Sequence, residues 1–228
     1  MDEADRALRS HYDRNFFEWQ RDGSRRSAAE ILPFVFDLCQ PQSICDLGCG
    51  SGSWLSVGKS LGATRVFGVD GLHVKPSSLL IDPSEFHAHN LEQPLSWPTR
   101  FDLALCLEVA EHLEARFAGQ IIETLVNAAP VVLFGAAVPG QGGQHHVNEQ
   151  PASYWLQKFE MHAYRAHDCI RPLVWDNPRV DYWYAQNTLL FVHASWCHRF
   201  ARIANTLRTS GTPFINLIHP RRLLPPYA

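Results

Sequence analysis

SICDLGCGSGSW, from Ser43 to Trp54, decides how this chain folds. Ile44, Cys45, Asp46 and Leu47 read as a strand, and Gly48, Gly50 and Gly52 interrupt it. Trp54, Val57 and Leu61 then follow the i, i+3, i+7 rhythm of a helix packed on a sheet. The unit is a strand, a tight turn and a helix. Glycine suits such a turn because the backbone takes positive φ and a ligand can approach with no Cβ in the way, while the next helix offers free N–H groups. Two phosphate-binding patterns come near and fail at one position. The dinucleotide fingerprint GxGxxG needs a glycine where Ser53 stands. A P-loop ending in Gly58, Lys59 and Ser60 needs its first glycine at that same place.

What remains is an acidic residue, Asp46, closing the strand just before the glycines. S-adenosylmethionine (SAM) has no pyrophosphate to cradle, but its amino acid end carries an ammonium that needs an acceptor, and Asp46 is placed to orient it. DLGCGSG resembles the first motif of class I SAM-dependent methyltransferases, and the order of later motifs resembles that family from about residue 40 to about residue 193. The resemblance implies an α/β, Rossmann-like fold. Its sheet would have seven strands, mostly parallel, with an antiparallel edge hairpin, and an N-terminal helical lid.

Composition agrees with such a body. The 228 residues, 46% of them hydrophobic, suit one α/β domain with extra segments at its ends. A net charge of −3 gives no general attraction to phosphate backbones, so a small-molecule acceptor is expected rather than nucleic acid. The six cysteines are scattered, several in expected strands or the glycine loop, and read as reduced core residues of a cytoplasmic chain. No leader-like or membrane-spanning apolar run is present, and the oligomeric state is left open.

Along the chain, residues 1–40 read as a helical lid, 41–193 as the SAM-binding domain and 194–228 as an extension with no assigned task. The aromatics Tyr12, Phe16, Phe17 and Trp19 predict a first helix, with Tyr12 and Phe16 as substrate-facing candidates, and Ser24 is expected to cap a second helix after a break at Gly23. RVFGVD, Arg65 to Asp70, predicts the second strand. Its Asp70 lies some 20 residues past the glycine turn, where a carboxylate accepts ribose hydroxyls. Gly71 and Leu72 follow, with Leu72 against the adenine. Glu85 to Leu91 predicts a third strand, and Asn90, standing where many family members have Asp, would accept from the adenine amino group beside Leu91. His87 and His89 share one face of that strand and are read as structural.

FDLALCLEV, residues 101–109, predicts a buried central strand. It closes on Glu108-Val109-Ala110-Glu111-His112, similar to the family's fourth motif, which places Glu108 and Val109 in the SAM site and His112 near the methyl group. Glu111 is read as capping a helix whose stripe is Leu113, Phe117, Ile121 and Leu125. Pro130 to Val138 predicts the fifth strand. It runs into PGQGGQHHVNEQP, a loop that resembles a bacterial small-molecule subgroup and is expected at the strand ends. His146 is the first candidate for a general base and His145 the second, with Asn148 and Glu149 orienting the acceptor. No metal is expected, because adjacent histidines on a loop rarely aim at one ion. Pro151 to His162 predicts a helix, and Tyr164 to Ile170 with Trp183 to His193 the edge hairpin. Arg171, Pro172, Trp175 and Asn177 between them suit either an acceptor wall or packing. The expected activity is methyl transfer to a small molecule. Its rivals are ring closure of SAM with release of methylthioadenosine, and a non-catalytic SAM-binding subunit.

Overall fold

The structure, a computed structural model, describes residues 14–200 and 215–223, with side chains from 22 to 198 and from 215 to 222. Seven strands run in chain order: β1 (Ser43–Leu47), β2 (Arg65–Asp70), β3 (Phe86–Ala88), β4 (Leu103–Leu107), β5 (Val131–Gly135), β6 (Tyr164–His167) and β7 (Leu189–His193). They form one sheet in the order β3-β2-β1-β4-β5-β7-β6, parallel except that β7 lies antiparallel to both β5 and β6. Strand order reverses between β1 and β4, so a crevice opens there at the C-terminal strand ends.

The apolar runs of the central strands are continuous because both faces are covered. Ile44, Leu103, Leu105, Leu133 and Leu190 face one way, packing with α1 (Arg14–Cys39) and α2 (Ser53–Ser60). Their neighbours Cys45, Ala104, Cys106, Phe134 and Phe191 face α3 (Ala118–Ala128) and α4 (Ala152–Glu160) on the other side. No disulfide joins the six cysteines. None of the described helices is long and apolar enough to cross a membrane.

Several boundaries differ from expectation. The first helix does not break at Gly23 but runs through it, because a Cβ there would collide with the Asp181 carboxylate, and glycine lets the helix pass close. From Ala28 to Val35 that helix is core: Ala28, Ile31, Leu32 and Val35 are fully buried. Tyr12 lies outside the described residues, as do the side chains of Phe16, Phe17 and Trp19. The third strand is only three residues long, and the edge strand expected from Trp183 begins at Leu189. Between α5 (Arg171–Val174) and β7, Tyr182–Asn187 is instead a short helix, α6. YWYA is apolar enough for either state, and such short runs carry no periodicity that separates them.

Candidate functional site

The glycine turn sits where expected, with Gly48 at φ 81°, Gly50 at 55° and Gly52 at 80°. Gly48 does a second job: a Cβ on it would lie 2.7 Å from Val109 Cγ1 and 3.1 Å from Val109 Cβ. The turn after β1 thus packs directly on the turn after β4. Gly48→Ala is expected to destabilise the protein by about 1–3 kcal/mol through left-handed strain and overpacking. Urea denaturation measures the loss, and Val109→Ala in the same chain should recover part of it.

Asp46 and Asp70 end adjacent parallel strands and are 3% and 8% exposed. Burial pushes the Asp46 carboxyl up from 3.8 to about 7, and the charge of Asp70 adds to the shift. Asp70 is also raised by burial, against the pull of His73 and the N–H groups of Gly50 and Gly71. Those two N–H groups donate to its oxygens at 2.6 Å each, so Asp70 shapes the glycine turn as well as facing the crevice. Gly71 lies in this group, but Leu72 is 83% exposed, with nothing packed on it that would position an adenine. Asn90 lies two residues beyond β3, and its Oδ1 accepts from Glu92 N at 3.0 Å, a local turn. Leu91 packs into the core, its carbonyl accepting from Gln120 Nε2.

The end of β4 and the loop after β5 form the second half of the site. Glu108 and His145 are two of four non-glycine residues with positive φ among those described, at 57° and 58°. Strain of that kind persists where the surroundings over-determine it. Asn187 Nδ2 and Gln141 Nε2 donate to the two Glu108 oxygens at 2.8 and 2.9 Å. Gln186 joins them, its Nε2 donating to Gln141 Oε1 and Asn187 Oδ1. This amide cluster was not legible in the sequence: Gln186 and Asn187 fell in a stretch read as strand, and no local pattern links them to Glu108.

Glu111 does not cap a helix. It lies on a single 3₁₀ turn, Ala110–His112, and α3 begins only at Ala118. Its side chain is fully buried and neither carboxylate oxygen has a hydrogen-bond partner. Burial and the nearby Glu108 charge hold this carboxyl well above its usual range; the N–H groups of Glu111 and Ala137 face it and pull the other way, but neither reaches it with bonding geometry. The Glu111 carbonyl meanwhile accepts from Val147 N at 2.9 Å and Asn148 N at 3.0 Å, pinning the histidine loop over the turn.

His112 and His146 meet edge to face, ring centroids 4.8 Å apart. One edge of His112 stays exposed, yet burial of the ring against the loop, followed by the nearby His146, lowers its pKa from 6.5 to about 4. His146 Nδ1 lies 2.9 Å from Glu149 Oε1. Glu149 also accepts from Gly140 N at 2.6 Å and Gly142 N at 2.7 Å, so this carboxylate sets the loop's shape and the ring's direction. Asn148 is buried, its amide engaged with Ala110 O and Gln150 Nε2. Neither residue is open to an acceptor in the manner expected, and His145 is exposed. Of the four residues walled between β6 and β7, Arg171 is buried, Asn177 binds Glu30, and Trp175 packs on His219. A groove of about 650 Å³ bordered by Ser43, Arg65, Asp102 and His193 lies at the opposite strand ends, away from these groups.

The family model described as "Methyltransferase domain" matches residues 17–126. Among curated proteins none matches this chain. Solved structures share the fold. Magnesium protoporphyrin IX methyltransferase (ChlM) from Synechocystis PCC 6803, with bound S-adenosylhomocysteine (SAH), superposes at TM-score 0.55 and 18% identity, covering 83% of this chain and 94% of that one. The methyltransferase domain of bacterial CtHen1 gives 0.51 and 16%, covering 75% and 98%. NcsB1, an O-methyltransferase from neocarzinostatin biosynthesis in complex with SAH and 1,4-dihydroxy-2-naphthoic acid, gives 0.50 and 14%, covering 69% and 51%. Residues 17–126 thus match a methyltransferase domain model, and the chain shares the Rossmann-like fold of these solved methyltransferases.

Proposed function

We propose that the protein transfers a methyl group from SAM to a small-molecule acceptor. The observation that carries this reading is the pair of buried carboxylates, Asp46 and Asp70, at the same end of two neighbouring parallel strands and on either side of the glycine turn. Asp46 would receive the ammonium of the amino acid end and Asp70 the ribose hydroxyls. Gly48, Gly50 and Gly71 allow close approach, and Val109 walls the cofactor toward β4. Asn90 and Leu91 would border the adenine. In support, ChlM and NcsB1 share this fold and were solved with SAH, NcsB1 also in complex with 1,4-dihydroxy-2-naphthoic acid.

The acceptor would enter beside His112 and His146. Methyl transfer is an in-line displacement on an already activated sulfonium, so alignment supplies most of the acceleration and a proton acceptor matters when the nucleophile is a hydroxyl. With Nδ1 turned to Glu149, the Nε2 lone pair of His146 is left for that task.

Calorimetric titration with SAH tests the cofactor: the wild-type chain should bind one equivalent, and Asp70→Asn should bind about 10- to 150-fold more weakly, the worth of one charged hydrogen-bonding partner. No heat from folded wild-type protein at millimolar SAH would end the reading. Incubation with SAM alone should release no methylthioadenosine; its appearance would favour ring closure instead.

A further inference from the structure

Glu111 holds a carboxyl group in the protein interior with neither oxygen hydrogen-bonded and the Glu108 carboxyl close by, an arrangement in which a bound cation can stand in place of a proton. Beside it stand His112 and His146. One ligand atom from each of the three residues lies within 4.8 Å of the others.

His146 also has one ring nitrogen already occupied by an orienting acceptor, its Nδ1 turned to Glu149, while the His112 ring lies against the backbone of His145. A metal-binding imidazole is held in this way, its second nitrogen fixed by a carboxylate or a carbonyl so that the first presents a lone pair. Two further features keep the place open. A Cβ at Gly143 would collide with the His146 ring, and the Glu111 carbonyl draws the loop over the turn through Val147 N and Asn148 N.

We propose that Glu111, His112 and His146 form a site for a first-row divalent cation at the acceptor end of the crevice. Two imidazoles and one carboxylate suit the borderline ions Co²⁺ and Zn²⁺ and, through the carboxylate and added oxygen ligands, the harder Mn²⁺, and leave coordination positions for other ligands. Closing the three atoms onto one ion at bond lengths near 2.1 Å brings ligand atoms to about 3.0–3.4 Å from one another, so a pair 4.8 Å apart must close by about 1.5 Å, less than 1 Å per side chain and within the reach of side-chain rotation. The expectation of no metal rested on His145 and His146 alone; the site uses His146 with two residues of the turn after β4, brought near only by the fold.

Cation binding stands on this geometry, while its role rests on the proposed methyl transfer. An acceptor hydroxyl coordinated there loses its proton to solvent near neutral pH. Its oxygen then forms the bond to the methyl carbon as the carbon–sulfur bond breaks and sulfur keeps the electron pair. The cation takes the Nε2 lone pair of His146 and replaces that histidine as the means of deprotonation.

Mn²⁺ titration of the full chain, followed by loss of the free-ion electron paramagnetic resonance signal, tests the site, with SAH calorimetry run on the same samples. Wild type should bind one Mn²⁺, Glu111→Gln and His146→Ala should each weaken it at least tenfold, and all three should bind SAH alike. Glu149→Gln, in the half-buried loop, should weaken it about 10- to 100-fold by releasing the His146 ring, and serves if either other variant fails to fold. No protein-dependent loss of signal, or equal loss in wild type and every folded variant, overturns the cation site. Mn²⁺ binding without SAH binding overturns the cofactor reading and leaves the site standing.

Discussion

Arg171→Ala is expected to cost about 3–5 kcal/mol of folding stability, the penalty for leaving one partner of a buried ion pair alone. Arg171 is 1% exposed. Its Nε and Nη2 donate to the two oxygens of Asp168 at 2.7 and 2.6 Å, and its Nη1 donates to the carbonyls of Ile215 at 2.8 Å and Gln186 at 3.3 Å. Truncation strips the Asp168 carboxylate, itself 7% exposed, of its counter-charge, and takes one donor each from the carbonyls of Gln186 and Ile215, the latter keeping Leu217 N. The effect should reach the site, because Gln186 belongs to the amide cluster that holds Glu108, and its Oε1 accepts from His219 N at 2.8 Å. A thermal midpoint lower by about 10 °C is the corresponding readout for a chain of this size. Arg171→Met combined with Asp168→Leu should recover most of the loss, since an apolar pair of similar volume leaves nothing charged behind. A single variant as stable as wild type would mean that the ion pair contributes nothing beyond what water offers both groups.

The parallel half of the fold was legible because its signals are local. Ser43–Leu47 followed by three glycines fixes a strand and a turn within a dozen residues, and alternate burial of Leu103, Ala104, Leu105 and Cys106 on two faces explains a run with no polar gaps. The antiparallel edge was legible only in outline. Tyr182–Asn187 packs as a helix because Tyr184 and Ala185 enter the core beside Ile31 and Leu55, a tertiary preference that a six-residue window does not contain. Gly23 misled for the same reason: glycine looks like a helix break until Asp181 is seen pressed against it.

The site divides along the same line. Asp46, Asp70 and the glycines announce themselves through spacing along one chain segment. Glu111 did not, since an acid beside a histidine after a strand reads equally as a cap, and only the turn's burial reveals an unpartnered carboxylate. His146 was singled out for its chemistry, but its ring's direction depends on Glu149, and its partner His112 comes from a separate strand end. Asn148 was taken for an acceptor-facing group because polar loop residues usually are; here its amide ties the loop to Ala110.

Stability should fall as pH rises between about 4 and 7, and Asp46→Asn should remove the share of that fall that Asp46 contributes. The unfolded chain releases the Asp46 proton near 3.8, whereas the folded chain keeps it until about 7, first because of burial and then because of Asp70. Between those values the native state binds the extra proton, so the stabilisation is complete below about pH 4 and is lost as pH climbs through 7. Three pH units correspond to about 4 kcal/mol at most. Asp70, Glu108, Glu111 and Asp181, whose carboxyls burial also raises, act in the same sense as Asp46, while Glu30 and Glu149, lowered by hydrogen bonds to Asn177 and His146 among others, act in the opposite one, so only the difference between wild type and variant isolates Asp46. Urea denaturation at pH 5 and pH 8 should show Asp46→Asn gaining on wild type at the higher pH. A difference that does not change with pH would mean the carboxyl is not held protonated. An ammonium beside Asp46 removes the reason for keeping the proton, so SAH should bind more tightly with rising pH, by up to tenfold per unit below 7 and no further above it. In Asp46→Asn that slope should vanish.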